Sequence, residues 1–344
     1  MSGLRFAGLI IGIIGLITTF LFYRGPKWKR VNFIFFSFFN LSIIAITINP
    51  NIVNFLRDLL SLQKYQYGRI IALLIVSNIS LMFLSIYNLS KVENFRLQFD
   101  QLVRRLGREY FEIAAENVKP IMIVIPAYNE AENLKELLPR IPQKIRSIDV
   151  GVLVVDDGSD DSTKQIVQES GYLVVSNLIN RGGGAALRLG YDILKNTGGK
   201  ICATMDADGQ HQPEDIEKLV SPIIDNQYDV VIGSRILGKR EKDNPIRIAG
   251  VYAFSAIISS ILGKKITDPS SGFRAFKIDE IKSINLFEDQ YHTSELIIET
   301  VKKGLRIGEV PISILKRKYG KSKKGRDLKY GFHFARIIVK TWWR

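Results

Sequence analysis

The sequence is short of cysteine and, toward its C-terminal part, of acidic residues. Among 344 residues there is one cysteine, Cys202, so no intramolecular disulfide forms. It lies in an apolar strand-like run, Ile201-Cys202-Ala203-Thr204-Met205, and reads as a small core residue. Acids number 34 against 48 Lys and Arg, for a net charge of +14. The stretch Lys316–Arg344 holds eleven basic residues and a single acid, Asp327. Such a patch suits nucleic acid, anionic lipid or a phosphorylated substrate. There is no internal repeat and no low-complexity tract beyond the basic run Lys316–Lys324. A dinucleotide fingerprint is missing too: Asn180-Arg181-Gly182-Gly183-Gly184 has the wrong glycine spacing and falls late in its unit.

What the sequence does have is hydrophobicity concentrated at one end. Phe6–Tyr23, Val31–Leu56 and Ile70–Ser90 carry no charge. Each reaches the roughly 18–20 residues that a helix needs to cross a hydrocarbon core. The membrane part of the second is expected to end near Pro50. With membrane spans in the chain, lipid headgroups and phosphates account for the basic excess better than nucleic acid, and no nucleic-acid partner is expected. The loop Arg24–Arg30 carries four positive charges in seven residues, which places it on the cytoplasmic side. The segment Asn51–Arg69 is then outside, and everything after Ser90 is inside. Lys91–Asn117 reads as an amphipathic helix, with Phe95, Phe99, Leu102, Val103, Leu106 and Tyr110 recurring at spacings of three and four.

From Lys119 the pattern alternates. Strand runs at Ile121–Ile125, Gly151–Val155, Tyr172–Val175, Ile201–Met205 and Val230–Ile232 are separated by helical patterns near Ala131–Leu138, Ser162–Glu169, Gly184–Leu194 and Pro213–Ile224. This is an α/β domain with a mostly parallel sheet, preceded by an all-α transmembrane domain. Ligands of such sheets bind beyond the carboxyl ends of the strands, so the loops there should carry the chemistry. The expected organisation is 1–90 membrane domain, 91–117 linker helix, 118–324 catalytic domain, and 325–344 a basic amphipathic helix at the membrane surface. In that last segment Leu328, Phe332, Ile337, Ile338, Trp342 and Trp343 form the apolar side.

Those loops are rich in carboxylates. Pro126-Ala127-Tyr128-Asn129-Glu130 offers an aromatic ring and an acid after the first strand. Val155-Asp156-Asp157-Gly158-Ser159-Asp160-Asp161-Ser162 follows the second; its later part also suits helix capping. Asp206-Ala207-Asp208-Gly209-Gln210-His211 places two carboxylates at one strand end, where hard oxygen ligands suit Mg²⁺ or Mn²⁺, though Asp-Gly is also a common turn. Gly233-Ser234-Arg235 ends a further strand, and Asp268 and Ser271-Gly272-Phe273-Arg274 come later.

In order and spacing these motifs, with Arg317 and Gly320-Lys321-Ser322-Lys323, make residues from about Pro120 to Lys324 resemble a family 2 glycosyltransferase of the GT-A fold, close in pattern to dolichyl- or polyprenyl-phosphate mannose and glucose synthases. Residues 1–115 resemble, more loosely, a small three-helix membrane domain found joined to such enzymes. The resemblance implies a nucleotide-sugar donor, GDP-mannose or UDP-glucose, contacted at Pro126, Tyr128, Glu130, Val155, Asp157, Asp206, Ala207, Asp208 and Gln210. Asp206, Asp208 and Gln210 would hold the metal. Arg317 and Lys323 would close over the donor diphosphate. Arg235 and Arg247 would meet the acceptor phosphate, although Val251 stands where the family pattern has a serine after that second arginine. Asp208, Arg235 and Glu295 would be the residues at the reacting centre, Glu295 in a positioning role. The implied acceptor is a polyprenyl (dolichyl) phosphate in the membrane lipid, used on the cytoplasmic face. A polysaccharide synthase of the same fold should carry Gln-x-x-Arg-Trp; Trp342-Trp343-Arg344 lacks the glutamine. A non-catalytic membrane adaptor would not need an intact Asp-x-Asp and basic loop.

The three-span topology is tested by cysteine labelling. Single cysteines at Gly25 and Leu60 should be accessible from opposite sides of the membrane; labelling of both from one side contradicts it.

Overall fold

The computed structural model describes residues 3–23, 30–109, 117–240, 245–282, 284, 286–288, 292–319, 336–338 and 340–343. The chain divides into two compact units, Met1–Phe95 and Arg96–Arg344.

The first unit is helical: α1 (Gly3–Tyr23), α2 (Arg30–Ile48), α3 (Ile52–Leu59) and the first part of α4 (Gly68–Glu109). Gly8, Gly12 and Gly15 form a stripe on α1 that lets α2 approach closely. An added Cβ at Gly12 would lie 2.5 Å from Ile44, and one at Gly15 only 1.9 Å from the Asn40 amide. Asn40 donates to the Phe36 carbonyl at 2.8 Å and to the Thr19 hydroxyl at 3.4 Å, so its polarity is absorbed within the helix pair. The second span is broken: α2 stops at Ile48, just before Asn49-Pro50, and α3 leaves at 102°. The outward side chains are apolar, with Phe38 72 % exposed. Among the described residues two helices are long and apolar enough to cross a membrane, or three spans if the bent pair counts as one. No helix end falls at residue 90, where the sequence separates a span from an amphipathic helix; α4 runs through.

The second unit is built on one mixed sheet. Its strands are β1 (Ile121–Ala127), β2 (Lys144–Ile145), β3 (Ile148–Asp156), β4 (Leu173–Ser176), β5 (Ile201–Thr204), β6 (Val230–Arg240), β7 (Arg274–Lys277) and β8 (Ile307–Ile314). The order is β2-β3-β1-β5-β7-β6-β8, with β4 also paired to β3. Strands β4, β3, β1 and β5 are mutually parallel; β7 enters antiparallel between β5 and β6. The uninterrupted apolar run of β1 follows from burial on both faces. Met122 and Val124 face one core, with α7 (Gly183–Lys195) and α11 (His292–Lys302). Ile121, Ile123 and Ile125 face the other, with α5 (Ala131–Leu137), α6 (Thr163–Glu169) and α8 (Ile216–Ile224). Helix α9 (Pro245–Leu262) adds Ile258 to the first core, and α10 (Ile278–Ile281) adds Ile278 and Ile281.

The described part of the C-terminal segment, 336–338 and 340–343, is helical, but its apolar side is used within the protein. Ile337 and Ile338 are buried in the α7–α11 core. Lys302 donates to the Thr341 carbonyl at 2.8 Å, and Lys340 pairs with Glu288 at 3.0 Å. An apolar stripe serves protein packing as well as lipid, and packing takes Ile337 and Ile338, while Trp342 and Trp343 stay exposed, at 44 % and 89 %. Leu328 and Phe332 lie outside the described residues. Ile338→Ala should therefore lower the stability of the second unit by about 2–4 kcal/mol through cavity formation, measured by denaturant unfolding; an unchanged midpoint would return the segment to the lipid surface.

Candidate active site

The loops after β1 and β3 are stitched together by reciprocal hydrogen bonds. Asn129 adopts φ +54°, which asparagine tolerates better than most residues. Its N–H donates to the Ser159 hydroxyl at 2.9 Å, and its side-chain oxygen accepts from the Asp160 N–H at 2.9 Å. The Glu130 N–H donates to Thr163 Oγ1 at 3.0 Å and the Ala131 N–H to Asp161 at 3.3 Å. Asp161 thus caps α5 across the loops, and also the Thr163 N–H at the start of α6 at 3.0 Å. Ser162 makes no side-chain cap.

The two acids ending β3 are buried. Asp156 accepts the Ser159 N–H at 3.0 Å. Asp157 accepts Asn177 Nδ2 at 2.7 Å on one oxygen, and the N–H groups of Arg181 (3.0 Å) and Gly182 (2.6 Å) on the other. Burial pushes the Asp157 carboxyl up, with these donors opposing. Gly182 sits at φ +96°, a conformation that leaves little choice but glycine. The Asn180-Arg181-Gly182 motif is therefore an anion cradle whose anion is Asp157 itself.

At the end of β5 the two carboxylates differ. Asp206 is the more open, its side chain 44 % exposed, while that of Asp208 is 18 % exposed. The Asp206 N–H donates to His211 Nδ1 at 3.2 Å, which fixes the imidazole as an acceptor on that nitrogen; the ring stacks on Phe273 at 4.8 Å. An added Cβ at Gly272 would sit 3.1 Å from an Asp206 oxygen, so the glycine leaves that carboxylate room. Asp208 accepts the Gln210 N–H at 3.1 Å. The residue after β8 closes on this turn: the Leu315 N–H donates to the Gln210 carbonyl at 3.0 Å, and Gln210 Nε2 to the Leu315 carbonyl at 3.2 Å. That places Arg317 beside the acids. Its guanidinium bonds Glu130 and lies 3.9 Å from Asp208.

Arg235 leaves the sheet where the β6–β8 ladder shifts register, between Ser234 and Lys239. It is held by fully buried Asp268 through Nε at 2.6 Å and Nη2 at 2.7 Å, with Ser270 also at 2.6 Å. Burial alone would raise the Asp268 carboxyl; Arg235 outweighs it and holds the group below the usual carboxylate range. The Asp268 N–H and that of Thr267 in turn donate to Glu309. Arg274 is buried, with its guanidinium on the carbonyls of Ser271 (2.7 Å), Pro269 (2.8 Å) and Thr293, and burial pulls it down to about 10. The Ser-Gly-Phe-Arg motif thus fixes the loop that carries Asp268 and Gly272.

Several site expectations change in character. Val155 and Ala207 are enclosed in the cores and offer a ligand no side-chain surface. Glu295 is fully buried and accepts the N–H groups of Phe287 (3.0 Å) and Glu288 (3.0 Å), so it shapes that segment from inside. Arg247 lies on α9 with its side chain outside the description, and Lys323 lies outside the described residues. Among the described residues no group of three His, Cys, Asp or Glu could hold a metal ion. Two carboxylates at one strand end still fit a hard cation that draws its other ligands from phosphate and water, and the guanidinium beside Asp208 marks the place as suited to positive charge.

Comparison with known proteins gives the same class. The family model for glycosyl transferase family 2 matches residues 122–283. The chain is 33 % identical over 244 residues to the UDP-N-acetylglucosamine–dolichyl-phosphate N-acetylglucosaminyltransferase of Methanococcus voltae, covering 64 % of this chain and 96 % of that one. It is 32 % identical over 214 residues to the undecaprenyl-phosphate mannosyltransferase of Micrococcus luteus, covering 59 % and 86 %. In fold it is similar to glucosyl-3-phosphoglycerate synthase of Mycobacterium tuberculosis, with a TM-score of 0.50 and 24 % identity over 67 % of this chain and 80 % of that one. The chain belongs to glycosyl transferase family 2 and is a glycosyltransferase with a GT-A-like fold.

Asp268→Ala should cost about 3–5 kcal/mol, because it strands a guanidinium whose partner is buried. The sign with pH follows from the lowered carboxyl. The pair stabilises fully above the unfolded carboxylate pKa of about 4 and weakens as pH falls below it. Chemical denaturation across pH 3–7 should show this acid-side loss flattened in Asp268→Asn.

Proposed function

We propose that this glycosyltransferase moves a hexose, mannose or glucose, from a nucleoside-diphosphate sugar (GDP-mannose or UDP-glucose) to a polyprenyl or dolichyl phosphate at the cytoplasmic membrane face. The observation that carries the donor side is the Asp206–Asp208 pair at the carboxyl edge of β5, with Glu130 and Arg317 against it. The acceptor rests on the apolar helices of the first unit and on relatives whose names specify dolichyl and undecaprenyl phosphate.

The chemistry asks little of a general base. A phosphate monoester has a second pKa near 6 and is mostly dianionic at neutral pH. One of its oxygens forms the new bond to the anomeric carbon. The bond from that carbon to the diphosphate oxygen breaks, and the nucleoside diphosphate leaves with the electron pair. Direct displacement inverts the anomeric configuration. What the protein supplies is position and charge. Asp206 and Asp208, with the Gln210 side chain as a further oxygen donor, would hold Mg²⁺ or Mn²⁺, which when bound neutralises charge on the departing diphosphate. Tyr128, Glu130 and the loop fixed by Asp157 line the nucleotide. Arg317 and Lys323 close over the diphosphate. Arg235, aimed by Asp268, and Arg247 take the acceptor phosphate.

Asp208→Ala should abolish transfer without changing membrane recovery, and excess chelator should silence the wild-type protein. Full activity in chelator would sink the metal-assisted reading.

A further inference from the structure

Helix α4 carries an acid that the proposed reaction does not use. On its last turns Asp100, Val103 and Gly107 form the inward face: Asp100 and Val103 are 7 % and 5 % exposed, and an added Cβ at Gly107 would touch Leu189 of α7 at 3.0 Å. An acid on an otherwise apolar helix face is costly unless paired. Asp100 is paired several times over. Its Oδ1 accepts from Arg181 and, at 2.9 Å, from Arg188, and Arg104 reaches Oδ2 at 2.8 Å. Arg104 also bonds Asp192 at 2.7 Å, and Arg188 donates to the Glu288 carbonyl at 2.7 Å.

The consequence lies in Arg181. Its side chain ends on Asp100, while its backbone N–H, with that of Gly182, ends on Asp157. One residue is pinned at both ends, and the loop between β4 and α7 is fixed by that double tether. The same loop packs on the turn after Asp157: an added Cβ at Gly158 would meet the Asn180 nitrogen at 3.0 Å. The orientation of the β3 edge therefore depends on a carboxylate 57 positions earlier in the chain, on the helix that begins at Gly68.

We propose that Asp100 is a positioning residue for the nucleotide: acting through Arg181, it holds the Asn180–Gly182 loop and Asp157 in the binding-competent arrangement. This rests on the reading of the β1–β3–β5 edge as the donor site. Neutralising Asp100 leaves the loop competent for only part of the time, and apparent affinity falls by that fraction. A loop competent one-tenth of the time gives about a tenfold weaker apparent affinity.

The test uses the full-length protein in detergent, titrated calorimetrically with UDP and with GDP in the presence of Mn²⁺. For whichever diphosphate the wild type binds, Asp100→Asn should weaken binding about tenfold, and Asp100→Glu should recover most of it. Amide hydrogen exchange at residues 178–182 should speed up in Asp100→Asn and return in Asp100→Glu. Arg104→Ala is the control. It removes an ion pair from the same cluster without touching the loop, and should leave affinity and loop exchange unchanged whatever it does to thermal stability. Arg181→Lys, which weakens the tether from its other end, should repeat the Asp100→Asn phenotype and serves if that variant does not fold. Wild-type affinity in a folded Asp100→Asn, or in Arg181→Lys, overturns the proposal; so does an equal loss in Arg104→Ala, which would reduce the cluster to general stability. A wild type that binds neither diphosphate overturns the donor-site reading instead.

Discussion

Five carboxylates, Glu130, Asp156, Asp157, Asp206 and Asp208, stand at the carboxyl edge of three adjacent parallel strands, and the architecture around them answers their mutual repulsion. The answers differ by position. Asp156 and Asp157 are buried with their oxygens satisfied by N–H donors, which ties the loops together. Glu130 and Asp208 share the Arg317 guanidinium. Asp206 is the most open to solvent and has a glycine opposite it. Under the proposed donor reading, carboxylates buried deep in the edge and open at its mouth would take a cation and a diphosphate that arrives with one.

Arginines supply the complementary half, and each is aimed by a different buried partner. Arg235 is held by Asp268, Arg181 by Asp100, and Arg274 by three backbone carbonyls. Buried ion pairs of this kind contribute little net stability against well-packed apolar groups. What they provide is direction. The Arg235 side chain keeps 22 % exposure while its fork is locked, as the proposed acceptor-phosphate role would require.

Much of this was legible in the sequence because β1, β3 and β5 are continuous apolar runs with acids at or within three residues of their carboxyl ends, a pattern that locates both the strands and the edge on which ligands of such sheets bind. Strands β7 and β8 were not foreseen. Arg274-Ala-Phe-Lys is short and half polar, and the Glu309 and Pro311 of β8 interrupt its run, so neither shows the buried-strand signature. The β5–β7 pairing is also antiparallel, against the βαβ rhythm. Asp100 was invisible for another reason. It lies in a segment where only part of the apolar set turns inward: Val103 is buried beside the acid, while the larger Phe99 and Leu102 stay exposed. Periodicity locates a face only when burial follows size, and a polar network defeats it. In the C-terminal segment Ile337 and Ile338 do form an apolar side, and a protein core takes them, because an apolar stripe does not say which surface it meets.

In the proposed reaction sugar passes to a phosphate that stays in the membrane. The direct measurement is partition of radiolabelled product after incubating the detergent-solubilised protein with Mn²⁺, polyprenyl phosphate and GDP-mannose or UDP-glucose. The account predicts label in the organic phase, dependent on the polyprenyl phosphate and released by mild acid as free sugar. Label that stays in the aqueous phase on a soluble phosphorylated acceptor, or that collects as insoluble polymer without added lipid, would contradict it.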